Sequence, residues 1–204
     1  KGRSQITGIA VNDMAVTARV ERKTPNGQAG FSFYTGGSAG DYISEDGQLT
    51  IVMADYKTKR GPWDLDFGFF KGWVGDTQEM NTACSAFGEI ACAGTIPKSA
   101  LGLLATVAVH LPELMQKKTI HDVIPYVQYQ KVRPNDEKGD GATAAPGKNY
   151  DVVTVGAAYK PHPQVALKAG YRTNFYGGTK AANARPGKPG TTQSYFELGV
   201  GYQY

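Results

Sequence analysis

The sequence predicts an all-β protein, an antiparallel transmembrane β-barrel with about nine or ten strands in this chain. Three observations carry this prediction. Apolar and polar residues alternate with a period of two along most of the chain, which is typical of strands with two different faces. The breaks between the alternating segments are rich in Gly, Pro, Asn and Asp. The connections between these segments are alternately short and long.

The composition excludes several classes of protein. The chain has 204 residues, a net charge of +4, 41% apolar residues, 26 Gly and 12 Tyr. Its longest apolar run, residues 100–111, falls well short of the roughly 20 residues that a membrane helix needs. Abundant Tyr, Phe, Val and Leu argue against disorder. The basic residues are scattered rather than clustered with aromatics, so we expect no nucleic-acid partner.

Nine segments carry the alternation, and most approach the length of about ten residues that a membrane-spanning strand needs. The pattern of the third segment is too weak to assign its two faces. The one candidate helix covers residues 112–118, a turn or two. The nine segments are residues 14–23, 29–35, 49–57, 63–73, 102–111, 123–132, 150–160, 164–175 and 194–204.

The lengths of the connections favour a membrane barrel over a soluble sandwich. Outer-membrane barrels have short periplasmic turns and long external loops, whereas a sandwich has no reason to alternate in this way. A soluble sheet that exposes its polar face to water is the competing interpretation. If the chain is a membrane barrel, its whole length, residues 1–204, forms one barrel segment. Its long loops lie near residues 36–48, 74–101, 133–149 and 177–193.

The last segment, SYFELGVGYQY at residues 194–204, has the most regular alternation. It resembles the terminal strand of Gram-negative outer-membrane β-barrels, whose final aromatic residue belongs to a signal that the barrel-assembly machinery reads. The resemblance implies a bacterial outer-membrane location, contact with outer-membrane lipid, and the assembly machinery as a partner. The residues of this C-terminal assembly signal are Phe196, Leu198, Val200, Tyr202 and Tyr204.

Three further segments are similar to hairpins of large outer-membrane porins, most nearly the group that includes the phosphate-selective porins. The similar segments are AGFSFYTGG at 29–37, YKTKRGPWDLDFGFF at 56–70 and YDVVTVGAAYKPHPQVALKAGY at 150–171. The resemblance implies a homotrimer and a water-filled channel for the passive diffusion of ions and small hydrophilic solutes. Phosphate selectivity would require a ladder of Arg and Lys inside the pore, and the cations here are scattered.

The direction of the strands favours a chain that is the C-terminal part of a larger barrel. If the ninth strand ends in the periplasm, the first strand runs inward, toward the periplasm. A complete bacterial barrel instead begins with an outward strand and has an even number of strands. Either residues 5–11 form a tenth strand that a tight turn at Asn12 and Asp13 joins to the first, or the chain is the C-terminal part of a barrel of 16 to 18 strands, a size that leaves an aqueous channel.

Residues on the polar side of each strand are the candidate pore lining. Their mixed charges indicate little ion selectivity, although Lys168 and Arg172 on one strand would form a weak anion-favouring patch. The loop at 36–48 or the loop at 74–101 would form the constriction. The candidate pore-lining residues are Arg19, Glu21, Asp64, Asp66, Gln128, Gln130, Lys168, Arg172, Asn174 and Glu197.

The remaining reactive residues are few. Cys84 and Cys92 predict a loop disulfide formed in an oxidising compartment, with two free thiols as the alternative. The chain has no nucleophile elbow, phosphate-binding loop or paired-histidine zinc motif, so we expect no enzyme activity, cofactor or metal. The alternative function is a structural outer-membrane barrel that sheathes a partner such as an electron-transfer cytochrome.

Overall fold

A computed structural model describes residues 15–37, 47–86, 96–117, 121–140, 149–177 and 190–202, without the side chains of 83–86 and 202. Within these ranges the chain forms nine strands and two short helices. Their bounds, in chain order, are β1 Ala15–Thr24, β2 Gly27–Gly37, β3 Gln48–Arg60, β4 Trp63–Val74, α1 Thr77–Ala86, β5 Ser99–Val109, α2 Leu111–Leu114, β6 Asp122–Glu137, β7 Tyr150–His162, β8 Val165–Tyr176 and β9 Thr192–Tyr202.

The strands form one antiparallel sheet in the order β1 to β9, so that every strand pairs with its neighbours in sequence. The prediction of an all-β, antiparallel fold is therefore confirmed. The described sheet is open, and β1 and β9 are its two edges. Each edge presents backbone N–H and C=O groups that no strand of the described sheet pairs.

The two ends of the sheet differ in their connections. Tight turns join β1 to β2, β3 to β4 and β7 to β8, and α2 lies between β5 and β6 at the same end. Gly61 in the β3–β4 turn has a φ of +53°, a left-handed conformation that glycine adopts without a steric penalty. We call this the turn end. The four longer connections leave the opposite end, which we call the loop end.

The register gives the sheet an apolar face and a polar face. Val155 and Leu198, on the apolar face, are 54% and 78% exposed. Val152 and Thr154, on the polar face, are 0% and 4% exposed. On β7 the apolar face is thus the more exposed one, the reverse of what a strand in a soluble sheet presents.

The register also assigns the faces of β3, which the sequence left open. Tyr56 is the cross-strand neighbour of Phe67 and lies on the apolar face, whereas Asp55 and Lys57 lie on the polar face. The sequence pattern is weak because the polar side of this strand changes from charged residues near the turn end to Ile51 and Met53 near the loop end.

Helix α1 was not predicted, since residues 74–101 were expected to form a loop. Its residues include Thr77, Asn81 and other poor helix formers, so its helical pattern is weak. The candidate helix at 112–118 is shorter than expected, because α2 covers Leu111–Leu114. No helix in the described ranges is long and apolar enough to cross a bilayer.

Strand β6 continues to Glu137, beyond its predicted end at residue 132. Glu137 is the register partner of Ser99, and Arg133 forms an ion pair with Asp151 of β7 at 2.8 Å. These interactions keep residues 133–137 in β6, although their polar composition is typical of a loop. Several predictions lie outside the described residues: the tenth strand at 5–11, the disulfide at Cys92 and the side chain of Cys84, and Tyr204 of the assembly signal.

Candidate functional site: the polar face of the sheet

All ten residues proposed from the sequence as pore-lining lie on the polar face, where the strand register brings them together from five strands. Arg19 and Glu21 lie on β1, and Asp64 and Asp66 lie on β4. The other six lie on β6, β8 and β9: Gln128, Gln130, Lys168, Arg172, Asn174 and Glu197.

The polar face has further members that the sequence did not single out. Asp55, Lys57 and Lys59 project from β3, whose faces the sequence pattern could not assign. Tyr126, Thr154 and Tyr195 share cross-strand rows with predicted members, but a tyrosine or threonine on a strand carries no signal of its own. Once β3 is placed, the period of two identifies all six.

Arg19 is the centre of a network that crosses the first three strands. Its guanidinium donates to Glu21 Oε1 at 2.7 Å, to Ser32 Oγ on β2 at 2.7 Å and to Asp55 Oδ1 on β3 at 2.9 Å. Gly30 leaves the space for the last contact, because a Cβ there would lie 2.4 Å from Arg19 Nη2. Two carboxylates therefore share one cation.

Ion pairs continue across the turn half of β3 and β4. Lys57 Nζ lies 3.3 Å from Asp66 Oδ2, directly across the two strands. Lys59 Nζ lies 3.2 Å from Glu113 in α2, which fastens this short helix to the sheet. All four side chains are well exposed, so each pair adds little to stability and mainly fixes the positions of charges.

His110 occupies the point where β5 leads into α2, and it bridges two strands. Its Nε2 lies 2.8 Å from Asp64 Oδ2 on β4, and its Nδ1 lies within hydrogen-bond distance of Asp122 Oδ2 on β6. The His110 side chain is 12% exposed. Asp122 Oδ1 is buried and has no partner among the described residues. The arrangement holds the α2 connection against the turn end of the sheet.

The half of the polar face on β6–β9 carries amides, hydroxyls and tyrosines. Gln130 Nε2 donates to Gln128 Oε1 at 2.6 Å, and Gln128 Nε2 donates to Thr106 Oγ1 at 3.1 Å. Farther along the sheet, Arg172 Nε donates to Asn174 Oδ1 at 3.2 Å. Arg172 also lies 3.6 Å from Glu197 of β9.

Charges on the polar face are mostly balanced by neighbours of opposite sign. Arg19, Lys57 and Arg172 each pair with a carboxylate. Lys168 is exposed and has no ion-pair partner in the part of the chain that the structure describes. The predicted anion-favouring patch of Lys168 and Arg172 is thus reduced to one uncompensated ammonium, because Glu197 neutralises Arg172.

The apolar face carries large exposed side chains along its whole width. Trp63 and Trp73 stand at the two ends of β4 on this face, 45% and 39% exposed. The C-terminal strand continues the pattern, with Phe196, Leu198 and Val200 between 65% and 79% exposed. Tyr202 of the predicted assembly signal pairs with Val165 through its backbone.

The described ranges contain no cluster of metal-ligating side chains. No group of three or more His, Cys, Asp or Glu residues there could hold a metal ion. His121, which directly precedes Asp122 in the chain, stacks on Tyr159 at the turn end, with ring centres 6.0 Å apart. What the described polar face offers is an array of fixed charges, amides and tyrosines.

Comparison with known proteins yields one distant relative. No protein-family model matches the chain. No solved structure matches it. An uncharacterized protein of Aquifex aeolicus (strain VF5) is 26% identical over 172 residues, which are 83% of this chain and 39% of that protein. The chain therefore spans about two-fifths of the length of the curated relative that it matches.

Proposed function

We propose that the chain forms part of an outer-membrane porin, a β-barrel around a water-filled channel for the passive diffusion of ions and small hydrophilic solutes. One observation carries this proposal: the apolar face of the sheet is exposed across all nine strands. Val155, Phe196 and Leu198 are 54–78% exposed. An apolar surface that extends across nine strands is far larger than the patches that soluble monomers expose, and lipid is a solvent that fits it.

The spacing of the two tryptophans supports the membrane placement. Trp63 and Trp73 lie ten residues apart on one strand, a length of about 34 Å at the usual rise per residue. A strand tilted by about 45° would then span roughly 25 Å, the height of the apolar band on an outer-membrane barrel. Indole rings favour the two boundaries of that band, because their N–H groups remain hydrated there.

The directions of the edge strands indicate how the barrel would close. Strands alternate in direction across an antiparallel meander, so β1 and β9 run the same way. Antiparallel closure therefore requires an odd number of additional strands between them. A pore of 16 to 18 strands would obtain these from a longer chain, and the Aquifex relative, of which this match covers 39%, has the length for it.

The charges of the polar face favour a channel with weak selectivity. The Arg19 network, the Lys57–Asp66 pair and the Arg172–Glu197 pair distribute both signs across the wall. A pore discriminates between ions through its radius and through uncompensated charge on its lining. Balanced pairs create a transverse field and exclude neither cations nor anions.

Planar-bilayer recording with the full-length protein that contains this chain tests the proposal. We expect stepwise openings with a linear current–voltage relation and a reversal potential near zero in a potassium chloride gradient. Gel migration should change on heating, and native electrophoresis should reveal the proposed homotrimer. Full-length protein that enters lipid vesicles through the assembly machinery yet conducts no ions would contradict the channel and favour a structural barrel.

A further inference from the structure

The polar face is divided into two chemically different halves. On β1–β4, which we call the charged half, the side chains are mainly Arg, Lys, Asp and Glu in ion pairs. On β6–β9, which we call the amide half, the central rows hold Gln, Asn, Thr and Tyr around the pair Arg172–Glu197. β5 separates the halves with small and apolar residues such as Gly102 and Ala108. If these side chains only kept the channel wall hydrated, charged residues and amides would not need to lie on separate halves.

The amides of the amide half keep unused hydrogen-bonding capacity. A glutamine side chain can make four hydrogen bonds. In the described part of the chain, Gln130 makes one as a donor to Gln128, and Gln193 makes one as an acceptor from the Tyr176 hydroxyl at 3.4 Å. Both side chains are at least partly exposed. Apart from the ammonium of Lys168, donors and acceptors are thus displayed together, without uncompensated charge, to whatever occupies the space above them.

Tyr126 adds an aromatic surface to the same half. A Cβ built on Gly156 of β7 would lie 2.7 Å from Tyr126 Cζ, and one built on Gly170 of β8 would lie 3.0 Å from the Tyr126 hydroxyl. The ring therefore lies along the wall across two glycines instead of projecting from it. A side chain at either glycine would displace it. An aromatic ring in this position presents one face to the wall and the other to the space above.

Further tyrosines extend this surface toward the loop end. Tyr195 on β9 lies beside Arg172, whose guanidinium is 5.7 Å from its ring centre. Tyr150 and Tyr176, adjacent on β7 and β8, have ring centres 5.4 Å apart. Gly156 and Tyr150 are six residues apart on β7, so the rings are distributed over about 20 Å along the strands.

We propose that the amide half is a binding track for neutral, hydroxyl-rich solutes, namely sugars and short oligosaccharides. The inference rests on the proposed channel function and names its substrate class. Sugar hydroxyls both donate and accept, which matches free amide groups, and the apolar faces of sugar rings pack on aromatic rings. The charged half offers ion pairs in place of neutral amides.

Sugar-induced block of ion current in the full-length protein tests this substrate class. The probe is a series of linear glucose oligosaccharides, and polyethylene glycol of equal hydrodynamic size, which lacks hydroxyl donors along its chain, is the comparison. We expect the sugars, but not the glycol, to block the current in a saturable way. Tyr126→Ala and Gln130→Ala should each weaken the sugar affinity about tenfold.

Lys57→Gln, in the charged half, is the matched control and should leave the sugar block unchanged. A channel that conducts but responds equally to sugar and glycol overturns the inference and leaves the channel function standing. Equal weakening by Lys57→Gln also overturns it, because recognition would then not be confined to the amide half. Absence of any conductance overturns the channel function, and the inference with it.

Discussion

Arg19 and Asp55 lie two strands apart on the polar face, and the Arg19 Nη2 is 2.9 Å from Asp55 Oδ1. Strand β2 runs between them, and it places Gly30 at the point that the contact crosses. A Cβ at Gly30 would lie 2.7 Å from Asp55 Oδ1. The missing side chain of Gly30 therefore allows one guanidinium to serve carboxylates on both β1 and β3.

In the proposed channel, replacing Arg19 with glutamine should shift the selectivity toward cations. The substitution leaves Glu21 and Asp55 without the cation that they share, so two carboxylates on the polar face become uncompensated. The reversal potential in a potassium chloride gradient measures the shift. Arg22→Gln is the matched control, because Arg22 lies on the apolar face of the same strand. An equal shift in both variants would contradict the assigned faces.

Adjacent residues of β9 lie on opposite faces of the sheet, so an added charge should lower the free energy of unfolding at one position and not at the next. Leu198→Arg places a guanidinium on the apolar face, where in a bilayer it should lower the free energy of unfolding by about 2–4 kcal/mol. Gly199→Arg places it on the polar face, with 4.0 Å to the nearest side-chain atom, Lys168 Cβ, and should fold normally. Urea titration in lipid vesicles measures the free energy of unfolding of both variants.

A sheet in water would give a different outcome for this pair. Leu198 is 78% exposed, so an arginine there would be solvated and harmless in a soluble protein. Equal stability of the two variants, together with solubility of the wild-type chain without detergent, would therefore refute the membrane placement of the apolar face.

Most of the strand arrangement could be predicted from the sequence, because strands with two chemically different faces alternate strictly. Phe67 and Asp66, for example, reveal the two faces of β4 by themselves. The same rule placed all ten proposed pore-lining residues on one face. It failed at β3, where Ile51 and Met53 bring apolar groups onto the polar side.

The loop end could not be predicted, because its structure depends on contacts between distant segments. Helix α1 has little intrinsic helical preference, and its buried residue Asn81 contacts segments 15 and 59 residues away. Strand β6 extends to Glu137 through pairs such as Arg133–Asp151. No local pattern encodes such contacts, whereas a strand repeats its signal every second residue.

Asn81→Ala should loosen the loop end and leave the strands intact. The Asn81 side chain accepts from Ile96 N at 2.8 Å and donates to Asp140 O at 3.1 Å, so it joins α1 to two separate segments. Removing it takes these bonds from the part-buried Ile96 N–H and Asp140 C=O groups, at a local cost of about 1 kcal/mol.

Limited proteolysis measures this effect. We expect faster cleavage near residues 96–98 and 138–140 in Asn81→Ala, with no change in the unfolding midpoint of the sheet. Gln78→Ala, an exposed position in the same helix, is the control. Cleavage at the wild-type rate would show that Asn81 does not hold these segments together.

His110→Ala should destabilise the turn end, because His110 joins Asp64 on β4 to Asp122 on β6. Without the ring, each carboxylate loses its bond to the imidazole, and Asp122 Oδ1 already has no partner among the described residues. We expect the free energy of unfolding to fall by about 1–3 kcal/mol. His162→Ala, in the exposed β7–β8 turn, should change it little.

Adding Asp122→Asn to His110→Ala should restore part of the loss, because a neutral amide removes one of the two charges. A double variant less stable than His110→Ala would show that the bridge acts through packing of the ring and not through its pairing with the two carboxylates.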